Sequence, residues 1–436
     1  MTNRNREELS FPRCKGRKVE ADFSGGNVTS DGGVLLVRAV DRRLGLTAAT
    51  ARLLSDPRRQ ASCEHTVLSM LRQRVYGLAA GYEDLNDHDS LRHDLAWQTA
   101  VERDRPSASS PTLCRLENRA DRQAAVAMHR VLAEQFIASH SEPPTELILD
   151  FDATDDPVHG KQEGRFFHGY YDHYCFLPLY VTCRDQLLVA YLRPSNIDGA
   201  KHAWAILALL VKRLRQAWPG VRIVFRADSG FCRWRMLRWC DNNEVFYIVG
   251  LAKNTRINKL AAPLIDKARK GCETSKRKQR LFGNLRYGAH GWDRQRRVIA
   301  RIEHSVKGSN PRYVVTNLPG NPKKLYERVY CQRGEMENRI KEQMQLFSDR
   351  TSATHWWPNQ FRLLLSALAY VLLETIRRLG LKGTELARAQ VATIRLKLLK
   401  IGAVILRNTR RVRFLLASAH PYQHPFQLAA ARLKPG

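Results

Sequence analysis

Acidic residues are scarce in this 436-residue chain: 42 Asp and Glu face 72 Lys and Arg, a formal net charge of +30. A compact state carrying that surplus repels itself, which points to a polyanionic partner, nucleic acid first and an anionic membrane surface second. Long apolar runs are also missing. Segments such as Leu363–Leu373 are aliphatic, but none reaches the roughly 18–20 residues that a spanning helix needs, so no membrane span is expected. The N-terminal MTNRNREELSFPRCKGRK is basic and has no apolar signal core. Cysteine offers no framework. There are nine, an odd number with irregular spacing and no CxxC pair, the pattern of reduced thiols in a cytosol. A zinc site built from His159, His168, His173, Cys175 and Cys183 is not expected, because those spacings fit no common ligand pattern. What remains is a cytoplasmic, polyanion-binding protein, with 44% hydrophobic residues for its core and length for two or three folding units.

Periodicity divides the chain. From Val34 to about Gln98 the pattern is helical, with Val67, Leu68, Leu71, Val75 and Leu78 close to a 3.6-residue period. Ser109-Ser110-Pro111-Thr112 opens a further helix, with Pro111 suited to a first turn. After Pro143-Pro144 the character changes to strands: Glu146–Asp152, a hairpin over Gly164–Arg193 turning at Arg184-Asp185-Gln186, and VRIVFRAD ending at Asp228. Helices are expected over Ala200–Trp218 and Arg233–Asn243, and an extended segment over Val245–Leu251. This order suits an α/β fold, a mixed sheet flanked by helices. The expected regions are 1–142, mainly helical; 143–254, the first part of the α/β domain; 255–318, a strand-rich insertion; 319–375, its last helices; and 376–436, basic and helical.

Carboxylates stand out against so basic a background. Alternation along Leu147–Asp152 puts Leu147, Leu149 and Phe151 on one face and Ile148, Asp150 and Asp152 on the other, so periodicity leaves Asp150 and Asp152 both open as ligands. Asp228 closes a second strand, the place where α/β folds put ligands. On an ideal helix Tyr330, Arg333, Glu337 and Lys341 fall within about 80° of the surface, beside an apolar stripe of Met336, Ile340, Met344 and Phe347. The plain alternative is a turn aspartate in each strand and a solvated, salt-bridged helix face. Phosphodiester chemistry, by contrast, needs hard oxygen ligands for a pair of divalent cations.

At these residues the sequence resembles the DDE transposases of bacterial insertion sequences. Their last-helix signature, Tyr-x2-Arg-x3-Glu-x6-Lys, is met here by Tyr330, Arg333 and Glu337, while Met344 stands at the lysine position and Lys341 lies one turn after the glutamate. Asp152-Ala153-Thr154 fits the context of the first aspartate and RADSGF that of the second, which selects Asp152 over Asp150. The separations, 76 from 152 to 228 and 109 from 228 to 337, resemble the subgroup with a β-strand insertion. FSGGNVTSDGG, GYEDLNDHDSLRHD, SSPTLCRLENR and HGYYDHYCFLPLY are further echoes, so the likeness covers nearly the whole chain.

The resemblance implies a ribonuclease H-like catalytic domain with Asp152, Asp228 and Glu337 holding two Mg²⁺ ions, Mn²⁺ being able to substitute. It implies double-stranded DNA as partner (element ends and target), a homodimer on DNA, a nucleoid-associated location, and cleavage followed by 3′-hydroxyl strand transfer. Tyr330, Arg333 and Lys341 would grip flanking phosphates; Arg115, Arg119 and Arg122 are candidate end-readers, and Trp292 a candidate to stack on a flipped base. Two other classes fit less of the pattern: a ribonuclease H-like nuclease without strand transfer, and a non-catalytic DNA-binding relic. The surplus of positive charge has a measurable consequence. Affinity for duplex DNA falls with salt, with a log–log slope of about −0.9 per neutralised phosphate; a slope near zero in a titration from low to moderate NaCl contradicts it.

Overall fold

In the computed structural model, which describes residues 8–434, the chain forms two compact units. Residues 1–7 and 435–436 of the expected terminal regions lie outside the described residues. One unit runs from Ala120 to Val371; the other joins the residues up to Arg119 to those from Leu372 onward.

The Ala120–Val371 unit is organised by an eight-stranded sheet. Its strands are β1 (Glu146–Ala153), β2 (Leu179–Cys183), β3 (Gln186–Tyr191), β4 (Arg222–Ala227), β5 (Phe246–Leu251), β6 (Gln279–Tyr287), β7 (Arg296–Ser305) and β8 (Gly308–Thr316). The order across the sheet is β6-β7-β8-β5-β4-β1-β2-β3. Strands β1, β2 and β3 form an antiparallel meander, while β4 pairs parallel with β1 and β5 parallel with β4. That meander-plus-two-parallel order, 3-2-1-4-5 over the first five strands, is the ribonuclease H-like arrangement. The expected β2–β3 turn is made by Arg184 and Asp185, with Arg184 in the left-handed region at φ 55°.

Alternation assigns the two faces. Leu147, Leu149 and Phe151 of β1 and Ile223, Phe225 and Ala227 of β4 join one core cluster with helix α1 (Ala203–Ala217) and helix α2 (Trp234–Asn242). On the opposite face Ile148, Val224 and Ile248 pack with Leu325 and Tyr326. Asp150, Asp152, Arg226 and Asp228 share this second face by the same two-residue period.

Two expectations are refined. The 255–318 insertion is strand-rich only in its second half, because helix α3 (Thr255–Ser275) precedes β6. Ile257, Ala261 and Ala268 bury one stripe of α3, and Asn254 caps it by accepting from the Ile257 N–H at 3.0 Å. The charges of this segment hide that spacing in the sequence. The inserted strands then extend the main sheet, β8 pairing antiparallel with β5. Helix Arg122–Ala138, expected with the N-terminal region, belongs to this unit and packs on β3.

The other unit is helical around Val34–Leu44, Leu46–Leu53, Val67–Ala80, Leu95–Ala100 and Ser110–Asn118. Residues 8–30, within the region expected to be mainly helical, include an exposed hairpin of Leu9–Cys14 and Arg17–Ala21. The basic C-terminal stretch, expected to be helical throughout, contains a two-stranded ribbon, Ala403–Arg407 with Val412–Leu416, which pairs with Val28–Thr29. Its Val, Ile, Phe and Leu residues meet an Asn-containing turn, a combination that favours strands over helix. Asp31 is the polar centre here, accepting from Tyr82 Oη at 2.6 Å, Lys400 Nζ at 2.7 Å and Trp97 Nε1 at 3.2 Å.

The Gly32-Gly33 pair lets two backbones meet. Their amides donate to the carbonyls of Ile401 (2.8 Å) and Leu399 (3.1 Å), and a Cβ on Gly33 would lie 1.8 Å from the Leu398 carbonyl oxygen. Backbone cannot step aside as a flexible side chain can. Gly33→Ala is expected to destabilise this unit by about 3 kcal/mol, read as a lowered urea midpoint; an unchanged midpoint would contradict that close approach.

Candidate active site

The sheet register puts two aspartates side by side. Phe151 of β1 lies opposite Ala227 of β4 in the parallel pair, so Asp152 and Asp228 follow at adjacent strand ends. Asp228 ends its strand by capping the one-turn helix Ser229–Phe231, its Oδ1 accepting from the Gly230 N–H at 2.8 Å. Asp152 sits opposite Tyr180 of β2, with its side chain 16% exposed. Burial, reinforced by the Asp228 charge and opposed by Arg333, pushes its carboxyl up to about 6. Two carboxylates that repel each other at partly buried strand ends are a cation-binding chemistry.

Asp150 has a different fate. It receives both Nε and Nη2 of Arg226, at 2.5 and 2.6 Å, from the directly opposed position on β4. Both side chains are almost fully buried. The pair neutralises itself and leaves Asp150 no free face, which separates the two aspartates that alternation left open. Arg226 also donates through Nη1 to the Val329 carbonyl, tying the sheet to the segment that carries Tyr330 and Arg333. Sequence reasoning passed over this arginine. Its signal was present: an arginine two residues before Asp228, in register with an aspartate two residues before Asp152.

The signature segment departs from a continuous helix. Pro322–Lys324 is α-helical, Leu325–Tyr330 is a π-turn, Cys331–Arg333 a 3₁₀ turn, and helix α4 (Gly334–Met344) follows. Wide and tight turns in succession change the angular placement of Tyr330 and Arg333 relative to Glu337, so an ideal 100° wheel does not describe them. Tyr330 is half-buried, and a Cβ on Gly250 would lie 2.7 Å from its Oη. Glycine there lets the tyrosine sit across the end of β5. Burial pushes the Tyr330 hydroxyl up to about 12, so it is a donor at neutral pH. Arg333 Nη1 donates to Asp152 Oδ2 at 2.8 Å.

Helix α4 lies over β1 and β2, with Met336 and Ile340 buried and Thr182 Oγ1 donating to Met336 Sδ at 2.8 Å. Glu337, the next residue, faces outward: its side chain is 68% exposed and paired with Lys341 at 3.0 Å. The fold therefore brings together Asp152, Asp228, Tyr330 and Arg333, and leaves Glu337 and Lys341 at the margin. Among the described residues no three His, Cys, Asp or Glu side chains are gathered closely enough to hold a metal ion.

The other candidates lie elsewhere. Arg115 is exposed and donates to Thr112 Oγ1 at 3.0 Å, while Arg119 is half-buried and paired with Asp56 at 3.1 Å. Arg122 is exposed at the start of its helix, in the unit that holds the aspartates. Trp292 lies in the β6–β7 connection, edge-on to Tyr287 at 5.6 Å with Arg296 over its ring.

A ribonuclease H-like sheet with two aspartates at the ends of adjacent parallel strands precedes a glutamate-bearing helix. The family model of the transposase DDE domain, group 1, matches residues 11–435, and the chain belongs to that family. A piggyBac transposase, in a synaptic complex with hairpin DNA solved by cryo-electron microscopy, is a similar structure: 12% identity, TM-score 0.40, covering 85% of this chain and 80% of that one. No curated protein matches. No helix among the described residues is long and apolar enough to cross a membrane.

The two aspartates of β1 are expected to separate in stability. Asp150→Ala strands a buried guanidinium and costs about 3–5 kcal/mol. Asp152→Asn removes a carboxylate whose ionised form the fold disfavours. Because its folded pKa is raised, that cost is absent below the unfolded value and grows as pH rises through about 6. At pH 8 this variant is therefore neutral or stabilising. Chemical denaturation compares them, and equal losses would overturn the division of roles.

Proposed function

We propose that this protein is the transposase of a bacterial insertion sequence, cutting DNA at the element's ends and joining the freed 3′-hydroxyl to target DNA. The observation that carries the reading is the pair Asp152 and Asp228 at neighbouring strand ends, on the sheet face covered by the signature segment. Asp152, Asp228 and Glu337 would hold two Mg²⁺ ions, or Mn²⁺ in their place, the donor set being all hard oxygen. When bound, such ions activate the attacking oxygen and stabilise the leaving one.

The chain's own residues set the rest. Arg333 neutralises Asp152 through a direct ion pair. A DNA phosphate would draw its guanidinium away, because the planar fork suits phosphate as well as carboxylate. Glu337 has little to give up in turning toward the aspartates, since an exposed ion pair such as that with Lys341 is worth under about 1 kcal/mol. Lys341 is then free for a flanking phosphate, as is the Tyr330 hydroxyl. Both the cleavage and the joining reaction exchange one oxygen for another at phosphorus, so one carboxylate set serves both. Arg115, Arg119 and Arg122 are proposed DNA contacts, Trp292 a stacking surface, and a homodimer on paired ends the working assembly.

Cleavage of end-bearing DNA with Mg²⁺ tests the reading. Asp152→Asn, Asp228→Asn and Glu337→Gln are each expected to lower it by on the order of a thousandfold or more, with DNA binding retained. Wild-type cleavage that persists in all three refutes the assignment. Failure to join a pre-cut end to a plasmid, with cleavage intact, would reduce the protein to a nuclease.

A further inference from the structure

The C-terminal ribbon of the helical unit has chemistry that the active site does not use. Strand Ala403–Arg407 pairs with Val412–Leu416 in the register Ala403↔Leu416, Ile405↔Phe414 and Arg407↔Val412. Its inner face is anchored: Ala403 and Ile405 are buried, and Ala403 pairs with Thr29. Its outer face, by the same alternation, carries Val404, Leu406, Arg411, Arg413 and Leu415. The turn is fixed as well. Asn408 Oδ1 accepts from the amides of Arg410 (3.0 Å) and Arg411 (2.9 Å), and the Asn408 N–H donates to the Arg411 carbonyl at 3.0 Å.

Four arginines thus occupy seven positions, 407 to 413, on a hydrogen-bonded ribbon whose residues 406–413 are all exposed. Arg407 donates to Gln98 Oε1 at 3.1 Å, and Arg410, Arg411 and Arg413 form no ion pair among the described residues. No acidic residue follows Glu385 in the sequence. A solvated hairpin has no need of this. Concentrated, uncompensated guanidinium groups on a preformed ribbon are costly by self-repulsion and gain most from a polyanion. A two-stranded ribbon also has the dimensions to enter the major groove of B-form DNA, where arginine bonds both phosphates and guanine edges.

We propose that the Ala403–Leu416 ribbon grips duplex DNA through Arg410, Arg411 and Arg413. This rests on the DNA-acting reading above.

Binding of end-bearing duplex is measured in EDTA, across a salt series, so that no catalytic step enters. Changing all three arginines to alanine should reduce the slope of log K against log salt by about 2.7, and lower affinity near 0.15 M salt by on the order of a hundredfold. Changing all three to lysine should keep the slope. The thermal midpoint should hold in both, because the side chains are exposed. A wild-type slope in the alanine variant overturns this proposal alone, whereas a wild type that fails to bind duplex overturns it together with the reading beneath it. Loss of binding to phosphatidylserine vesicles, with DNA binding intact, would make the ribbon a membrane element and equally overturn the proposal.

Discussion

The guanidinium of Arg226 holds this face of the sheet in order. It satisfies Asp150 on the neighbouring strand and the carbonyl of Val329 in the π-turn, spanning the sheet and the segment laid over it. Burying these charges is costly unless every donor and acceptor is paired, and here the pairing also fixes position. With Val329 tied down, Tyr330 and Arg333 are delivered to the strand ends where Asp152 and Asp228 emerge. Asp150 is consumed by this pairing, while Asp152, two residues later, reaches the strand end and pairs with Arg333.

Strand periodicity made much of this legible. Leu147, Leu149 and Phe151 bury where alternation puts them, and the paired aspartates fall at strand ends as the run VRIVFRAD implies. Helix α3 and the arginine ribbon were harder. In α3 the apolar stripe is largely alanine beneath many charges, and in the ribbon a basic run masks β-branched and aromatic residues. The signature segment was harder still. Nothing in the composition of Leu325–Arg333 announces a π-turn followed by a 3₁₀ turn, because the break serves a tertiary contact, that of Val329 with Arg226. Local spacing cannot register a constraint imposed from a strand a hundred residues earlier.

The same limit explains Glu337. The spacing of the signature places it on the face that follows Arg333, yet the preceding turns rotate it outward onto Lys341, while Arg333 pairs with Asp152. Arg333 opposes the burial that favours protonation of Asp152, and the ionised pair carries no net charge. The planar guanidinium of Arg333 can pair with phosphate as well as with carboxylate.

Whether Glu337 joins the aspartates around a shared cation is the question on which the account turns. Iron-directed cleavage answers it directly: Fe²⁺ is bound in place of Mg²⁺ on the DNA-bound protein, ascorbate and peroxide generate radicals at the metal, and the polypeptide fragments are weighed by mass spectrometry. The account predicts cuts beside Asp152, Asp228 and Glu337 together, each suppressed by excess Mg²⁺. Cuts beside the two aspartates with none near Glu337, or cuts confined to other acidic positions, would contradict it.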